Sequence, residues 1–220
     1  PEFIEFLRSD FRLASIDVQV EGGELQISTE GLWVETILWE TMVLSIVNEL
    51  YAREAVSRTG VHWTDALDRA EARFCGKFEK LIESGVKGIT DFGTRRRASL
   101  ELQRRIVKRL AAAPSGLCVG TSNVLLAMEL GVAPKGTMAH ELFMTAYGLS
   151  RILYGEDAEK IRAKQWDVLR KWKDLYGSAL LVALPDTYGT DAFFESIVPE
   201  EFYTGWSGVR HDSGDPDEFA

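Results

Sequence analysis

The chain is short of cysteine, of positive charge and of long uncharged apolar runs, and each shortage closes off a class of protein. Its 2 cysteines, Cys75 and Cys118, make no C-x-x-C pair and no zinc spacing. Neither a disulfide framework nor a metal site is therefore expected, and a reducing cytoplasmic setting suits them. Lys and Arg number 25 against 34 Asp and Glu, a formal net charge of -9, which argues against broad nucleic-acid binding. The most apolar stretch, residues 32–52, carries Glu35, Glu40, Asn48 and Glu49. Those groups would be expensive in a bilayer, so it is expected to be a buried helix and no membrane partner is expected. Pro1-Glu2-Phe3-Ile4-Glu5 has neither the basic start nor the apolar run of a signal peptide. No low-complexity linker or repeat breaks the chain.

What is present is 220 residues with 45% hydrophobic content, enough for a sizeable core. Ser15 to Val20 alternates with period two and does so again from Glu24 to Ser28 after Gly22-Gly23, which predicts a strand pair. Residues 32–58 read as one helix, apolar almost all round, and residues 63–83 as a second, with Thr64-Asp65 as cap candidates and Gly85 as its stop. From Val86 the rhythm becomes short apolar strands alternating with helices. Strands are expected at 86–90, 116–120, 132–136 and 179–184, and helices at 97–112, 122–130, 138–153 and 157–176. Such repeated units mean an α/β fold with a parallel sheet, open or closed into a barrel. The division expected is residues 1–85, a small α+β region, and residues 86–220, a partial α/β barrel. Both ends are abrupt, as in part of a longer protein.

Chemistry collects where strands run into helices. Val209-Arg210-His211-Asp212-Ser213-Gly214-Asp215-Pro216 packs a cation, an imidazole and two carboxylates into six residues, a set that needs partners if buried. A salt-bridged turn has the same composition. In Asp91-Phe92-Gly93-Thr94-Arg95-Arg96-Arg97, phenylalanine offers a stacking face and guanidinium forks suit carboxylate or phosphate. Three cations at a helix start oppose the dipole and so call for an anion. Gly120-Thr121-Ser122-Asn123 opens a helix with free N–H groups, though a plain strand-to-helix turn looks the same. Gly136-Thr137-Met138-Ala139-His140-Glu141 sets an imidazole in a first helical turn, where the dipole favours the neutral, nucleophilic form. A histidine serving only as a hydrogen-bonding residue fits as well. Leu184-Pro185-Asp186-Thr187-Tyr188-Gly189-Thr190-Asp191 sets two acids just past an apolar strand, which a capped loop would also explain. Together the five junctions lie at the same end of successive strands, where barrels carry active sites.

These five blocks, in order and spacing, resemble nicotinate phosphoribosyltransferase, with milder similarity through Phe3-Ile4-Glu5-Phe6-Leu7 and Ile37-Leu38-Trp39-Glu40. The resemblance implies a type II phosphoribosyltransferase fold, an irregular α/β barrel with a smaller α+β N-terminal portion, working as a cytoplasmic homodimer. It implies conversion of nicotinate and phosphoribosyl pyrophosphate to nicotinate mononucleotide and pyrophosphate, coupled to ATP hydrolysis, in NAD salvage. Carried over residue by residue, Phe92 stacks on the pyridine ring, Thr137 and Arg210 hold the nicotinate and its carboxylate, and Arg95 contacts phosphate. His140 is the residue that ATP phosphorylates, with Glu141 beside it. Asp186 and Asp212 face the ribose, whose C1 turns oxocarbenium-like as pyrophosphate leaves. Thr94, Ser122 and Asp215 complete the substrate-binding set. Magnesium is held by pyrophosphate oxygens rather than by a protein cage, and no tightly bound organic cofactor is expected.

Two departures qualify the resemblance. Nicotinamide-using relatives show Gly-Thr-Asp where this chain has Gly120-Thr121-Ser122, and an Asp there would repel a carboxylate, so Ser122 favours nicotinate. The family's amino-terminal tyrosine segment and its later glycine-rich 5′-phosphate turns have no counterpart in these residues, so weak substrate binding by the chain alone is expected. The alternatives are a nicotinamide phosphoribosyltransferase or a non-catalytic binding relative.

Overall fold

The computed structural model describes residues 2–114, 116–195, 200–202 and 204–219; Pro1 and Ala220, the abrupt ends, lie outside them. The chain divides into two compact units between Lys135 and Gly136.

In the first unit, α1 (Glu2–Ser9) precedes β1 (Ile16–Glu21) and β2 (Glu24–Thr29). The alternation does build an antiparallel pair, with Ile16 opposite Thr29 and Glu21 opposite Glu24. Its turn needs glycine, since Gly22 and Gly23 have φ of 58° and 86°. The single helix expected from residue 32 is instead α2 (Trp33–Thr36) and α3 (Trp39–Ser57). The Glu35 carbonyl, which a continuous helix would offer to the N–H of Trp39, accepts from Ala14 N at 3.1 Å. Nor is α3 buried on all sides. Ser45 is its one buried residue, and Ile46, Leu50 and Tyr51 are exposed. One face does the packing: Asn48 Nδ2 donates to Arg95 O at 3.1 Å, and Glu49 Oε2 accepts from Leu100 N at 3.0 Å.

Helix α4 (Trp63–Glu83) starts at His62, which makes no side-chain cap bond, so the expected Thr64-Asp65 cap is not formed. Asp65 still lies in the first turn, where a carboxylate complements the dipole. Strand β3 (Ile89–Asp91) crosses through α5 (Leu100–Ala111) to β4 (Cys118–Thr121), which pairs with it in parallel, and α6 (Val124–Leu130) follows. Ser99 caps α5, its Oγ accepting from Leu102 N at 3.0 Å. Arg95 and Arg96 belong to a separate 3-10 turn, Thr94–Arg96, so the sequence argument that three cations oppose the α5 dipole does not hold. Three of the four α5 cations are paired as well. Arg104 pairs with Glu129, Arg105 with Asp68, Glu71 and Glu101, and Arg109 with Glu71. Residues 132–136 form no strand beyond a bridge of Pro134 to Thr121, because proline has no N–H to extend a ladder.

In the second unit, α7 (His140–Tyr154) packs on α8 (Ala158–Tyr176). After them come β5 (Val182–Ala183), α9 (Thr190–Glu195), β6 (Gly208–Val209) and α10 (Pro216–Phe219). Strands β5 and β6 are parallel. The expected strand at 179–184 shrinks to two residues because Leu180 sits at φ 54°, a left-handed conformation that an extended chain cannot pass through. The core holds Met138, Phe143, Trp166, Leu169, Ala183, Leu184 and Phe193, with the Trp166 and Phe193 rings 4.8 Å apart. Among the described residues the strands pair two by two, in three sheets, and no helix is long and apolar enough to cross a membrane.

Candidate active site

In the first unit, polar residues at and just past the carboxyl ends of β3 and β4 lock together with Gln103 of α5. The Asp91 carboxylate accepts from Thr121 Oγ1 at 2.7 Å and from Gln103 Nε2 at 2.8 Å. Gln103 also donates to Thr94 Oγ1 at 3.3 Å and accepts from Asn123 Nδ2 at 2.9 Å. Thr94 and Ser122 hydroxyls touch at 2.7 Å. This network of Asp91, Gln103, Thr121 and Asn123 is half-buried to buried and has few free valences, so it holds two loops at one spacing. Beside it the Phe92 ring is 55% exposed, an open stacking face. Arg95 points elsewhere: its guanidinium is engaged by the Glu40 carboxylate of α3.

In the second unit, four of the expected residues come together. His140 is the first residue of α7, preceded by Ala139, which supplies no side-chain cap. Its Nε2 lies 3.0 Å from Asp186 Oδ1 and 3.7 Å from Asp212 Oδ2. Arg210 NH2 is 3.0 Å from Asp212 Oδ1, and its NH1 donates to Met138 O at 3.1 Å. The backbone sets these positions. Asp186 follows β5 through the buried Leu184-Pro185, and Arg210 follows β6 with its N–H on Ala183 O at 2.8 Å. Both lie beyond the carboxyl ends of parallel strands, where open α/β sheets take ligands. Tyr188 braces the turn, donating to Phe143 O at 3.2 Å. Burial, helped by the neighbouring Tyr147, pushes its phenol up to about 12.

Thr137 and Glu141 are half-buried beside His140 in sequence, while Asp215 is exposed and accepts from Asp217 N at 2.8 Å. His140, Asp186 and Asp212 each offer a ligand atom, all within 4.8 Å of one another. As a magnesium site the set fits poorly. Magnesium prefers an octahedron of oxygens, one donor here is an imidazole nitrogen, and Arg210 already neutralises Asp212.

A family model described as the nicotinate phosphoribosyltransferase (NAPRTase) family matches residues 88–220, more than half of the chain. The chain belongs to the nicotinate phosphoribosyltransferase family. A solved nicotinate phosphoribosyltransferase from Porphyromonas gingivalis is 29% identical with a TM-score of 0.78 over 100% of this chain and 52% of its own. One from Vibrio cholerae is 30% identical with a TM-score of 0.79, over 99% of this chain and 50% of its own. The chain therefore spans about half the length of the solved family members it matches.

Against the family resemblance, the structure joins Thr94 to Ser122 and His140 to Asp186, Asp212 and Arg210, while Arg95 is held by Glu40. Sequence reasoning missed Gln103, although a signal existed. It stands at the head of the α5 stripe that buries Val107 and Leu110, and a glutamine at a core position needs polar partners. It also missed the carbonyl of Met138 as an Arg210 acceptor, and for a main-chain group no sequence signal exists.

Proposed function

We propose that this chain carries the chemistry of a nicotinate phosphoribosyltransferase, which joins nicotinate to phosphoribosyl pyrophosphate with ATP hydrolysis to give nicotinate mononucleotide and pyrophosphate, in NAD salvage. The observation that carries this reading is the 3.0 Å contact of His140 Nε2 with Asp186 at the start of α7. With Nε2–H donating to that carboxylate, the lone pair is left on Nδ1. That nitrogen attacks the terminal phosphorus of ATP, the phosphoanhydride bond breaks and ADP leaves with its electrons. The phosphorylated imidazole then lies at the positive end of α7, which favours its charge. Asp186 and Asp212 stabilise the cationic ribose carbon as pyrophosphate departs. Phe92 stacks on the pyridine ring, and Thr94, Ser122, Thr137, Arg210 and Asp215 bind substrate. Arg95 reaches phosphate after exchanging Glu40, and Glu141 supports His140. Magnesium accompanies the pyrophosphate, ATP is a co-substrate, and no organic cofactor is retained.

The same reading carries the irregular barrel, a division near residue 85 into a smaller α+β portion and barrel, a homodimer and a cytoplasmic location. The test is mononucleotide formation by the complete gene product from nicotinate or nicotinamide with phosphoribosyl pyrophosphate, with and without ATP. Product from nicotinate that rises with ATP is expected. Product from nicotinamide alone would move the assignment to the nicotinamide-using relatives, and no product from either base would favour a non-catalytic relative.

A further inference from the structure

The network in the first unit has a property that goes beyond positioning: its hydrogen-bond directions are determined from Leu126 as far as Thr94. At one end Leu126 N, which can only donate, points to Asn123 Oδ1 at 3.2 Å. Asn123 must then turn its Nδ2 to Gln103 Oε1, at 2.9 Å. Gln103, 4% exposed, is left with only its Nε2 for the other side, where the Asp91 carboxylate accepts at 2.8 Å. Asp91 is also met by Thr121 Oγ1 at 2.7 Å, which spends its proton there while accepting from Asn123 N at 3.1 Å. The second Nε2 proton of Gln103 goes to Thr94 Oγ1 at 3.3 Å, so that oxygen enters its remaining contact with its own proton and one lone pair. That contact is with Ser122 Oγ, at 2.7 Å, and by geometry either hydroxyl could donate it.

We propose that Gln103 is a positioning residue that, through Thr94, commits the Ser122 hydroxyl to donate outward, so that this site selects a base bearing an acceptor-only carboxylate over one bearing a carboxamide. Ser122 Oγ receives the Thr94 proton, and its own proton turns to the ligand. A carboxylate answers it with a charge-assisted bond in either orientation, whereas a carboxamide does so in only one of two and presents its NH2 in the other. The inference rests on the nicotinate reading given above and deepens it, by locating the choice in a residue of α5 that need not touch the ligand.

The test uses the complete gene product and reads the ratio of kcat/KM for nicotinate to that for nicotinamide. Thr94→Val removes the proton that sets Ser122, and the ratio should fall about 3- to 10-fold, the worth of one net hydrogen bond. Thr94→Ser should retain it, and Gln103→Met should lower it in the same direction. In a Ser122→Ala background, Thr94→Val should leave the ratio unmoved, since there is no hydroxyl left to orient. A purely structural role would depress both bases equally, and an unchanged ratio in Thr94→Val and Gln103→Met overturns the inference. So does an equal shift in the Ser122→Ala background. A wild-type enzyme that takes neither base sinks the functional reading itself; one that prefers nicotinate with variants that keep the preference sinks this inference alone.

Discussion

His140 has one carboxylate at hydrogen-bonding distance and a second at 3.7 Å, and it starts a helix. On the proposed function, removing the imidazole takes away the phosphoryl acceptor and leaves the acids assigned to the ribose. In the complete protein, His140→Ala should therefore abolish the stimulation of mononucleotide synthesis by ATP and leave slow ATP-independent synthesis; equal loss of both would show that another group takes the phosphate. Asp186→Asn keeps the shape but no longer demands Nε2–H, and the ATP-dependent rate should fall about 100-fold or more. Tyr188 makes a prediction about pH. Its folded-state value, about 12, is raised above that of an exposed phenol, so the unfolded chain releases this proton first. The stability it contributes is fully present below the unfolded value and is lost as pH rises through about 12. Thermal unfolding of wild type against Tyr188→Phe should diverge above about pH 10, with only the wild type losing this increment.

At the scale of elements, the turn from β4 into α6 depends on two small residues with different jobs. Gly120 has φ 149°, and a Cβ there would lie 2.2 Å from Ala133 O and 2.6 Å from Lys135 Cγ. The carbonyl belongs to backbone held by Thr121 N at 3.0 Å and cannot step aside cheaply. Gly120→Ala should destabilise the chain by about 2–4 kcal/mol in denaturant melts, overpacking and strain together. Asn123 caps α6 and satisfies Gln103. Asn123→Ala should cost about 1–2 kcal/mol for the cap, and more because a buried Gln103 oxygen loses its donor. Asn123→Asp keeps the cap but sets a second acceptor against Gln103 Oε1, and it should be the worse of the two in the same melt.

Over the whole chain, apolar surface is unevenly covered. Leu169, Phe143 and Leu126 are fully enclosed, and each contributes roughly 1.5–3 kcal/mol by burial. On other faces Ile152 is 81% exposed, Leu153 69% and Tyr51 75%, with Leu149, Leu50 and Ile46 near them in sequence. Patches of this kind bind apolar probes and partners. The 220-residue chain should enhance the fluorescence of an environment-sensitive apolar dye while its circular dichroism remains that of a folded protein. Replacing Leu149, Ile152 and Leu153 with glutamate should cut that signal. A dye response unchanged by the triple substitution would place the uncovered surface elsewhere.

The sequence alone determined most of the elements and pointed to four residues that the structure brings together. Helices α4, α7 and α8 and the β1–β2 pair were legible because period and breaker residues act locally, within a few positions of the chain. The junction motifs pointed to His140, Asp186, Arg210 and Asp212 because each is a compact cluster of chemistry in the linear chain. Tertiary structure decided the rest. Whether residues 32–57 form one helix depended on Ala14 taking the Glu35 carbonyl, and the length of β5 depended on the left-handed turn at Leu180. Arg95 is engaged by Glu40, 55 positions away, while Gln103 gains partners on two other loops. Such pairings follow from which surfaces the packed core brings within 3 Å, and long-range proximity is not encoded in any local pattern of residues.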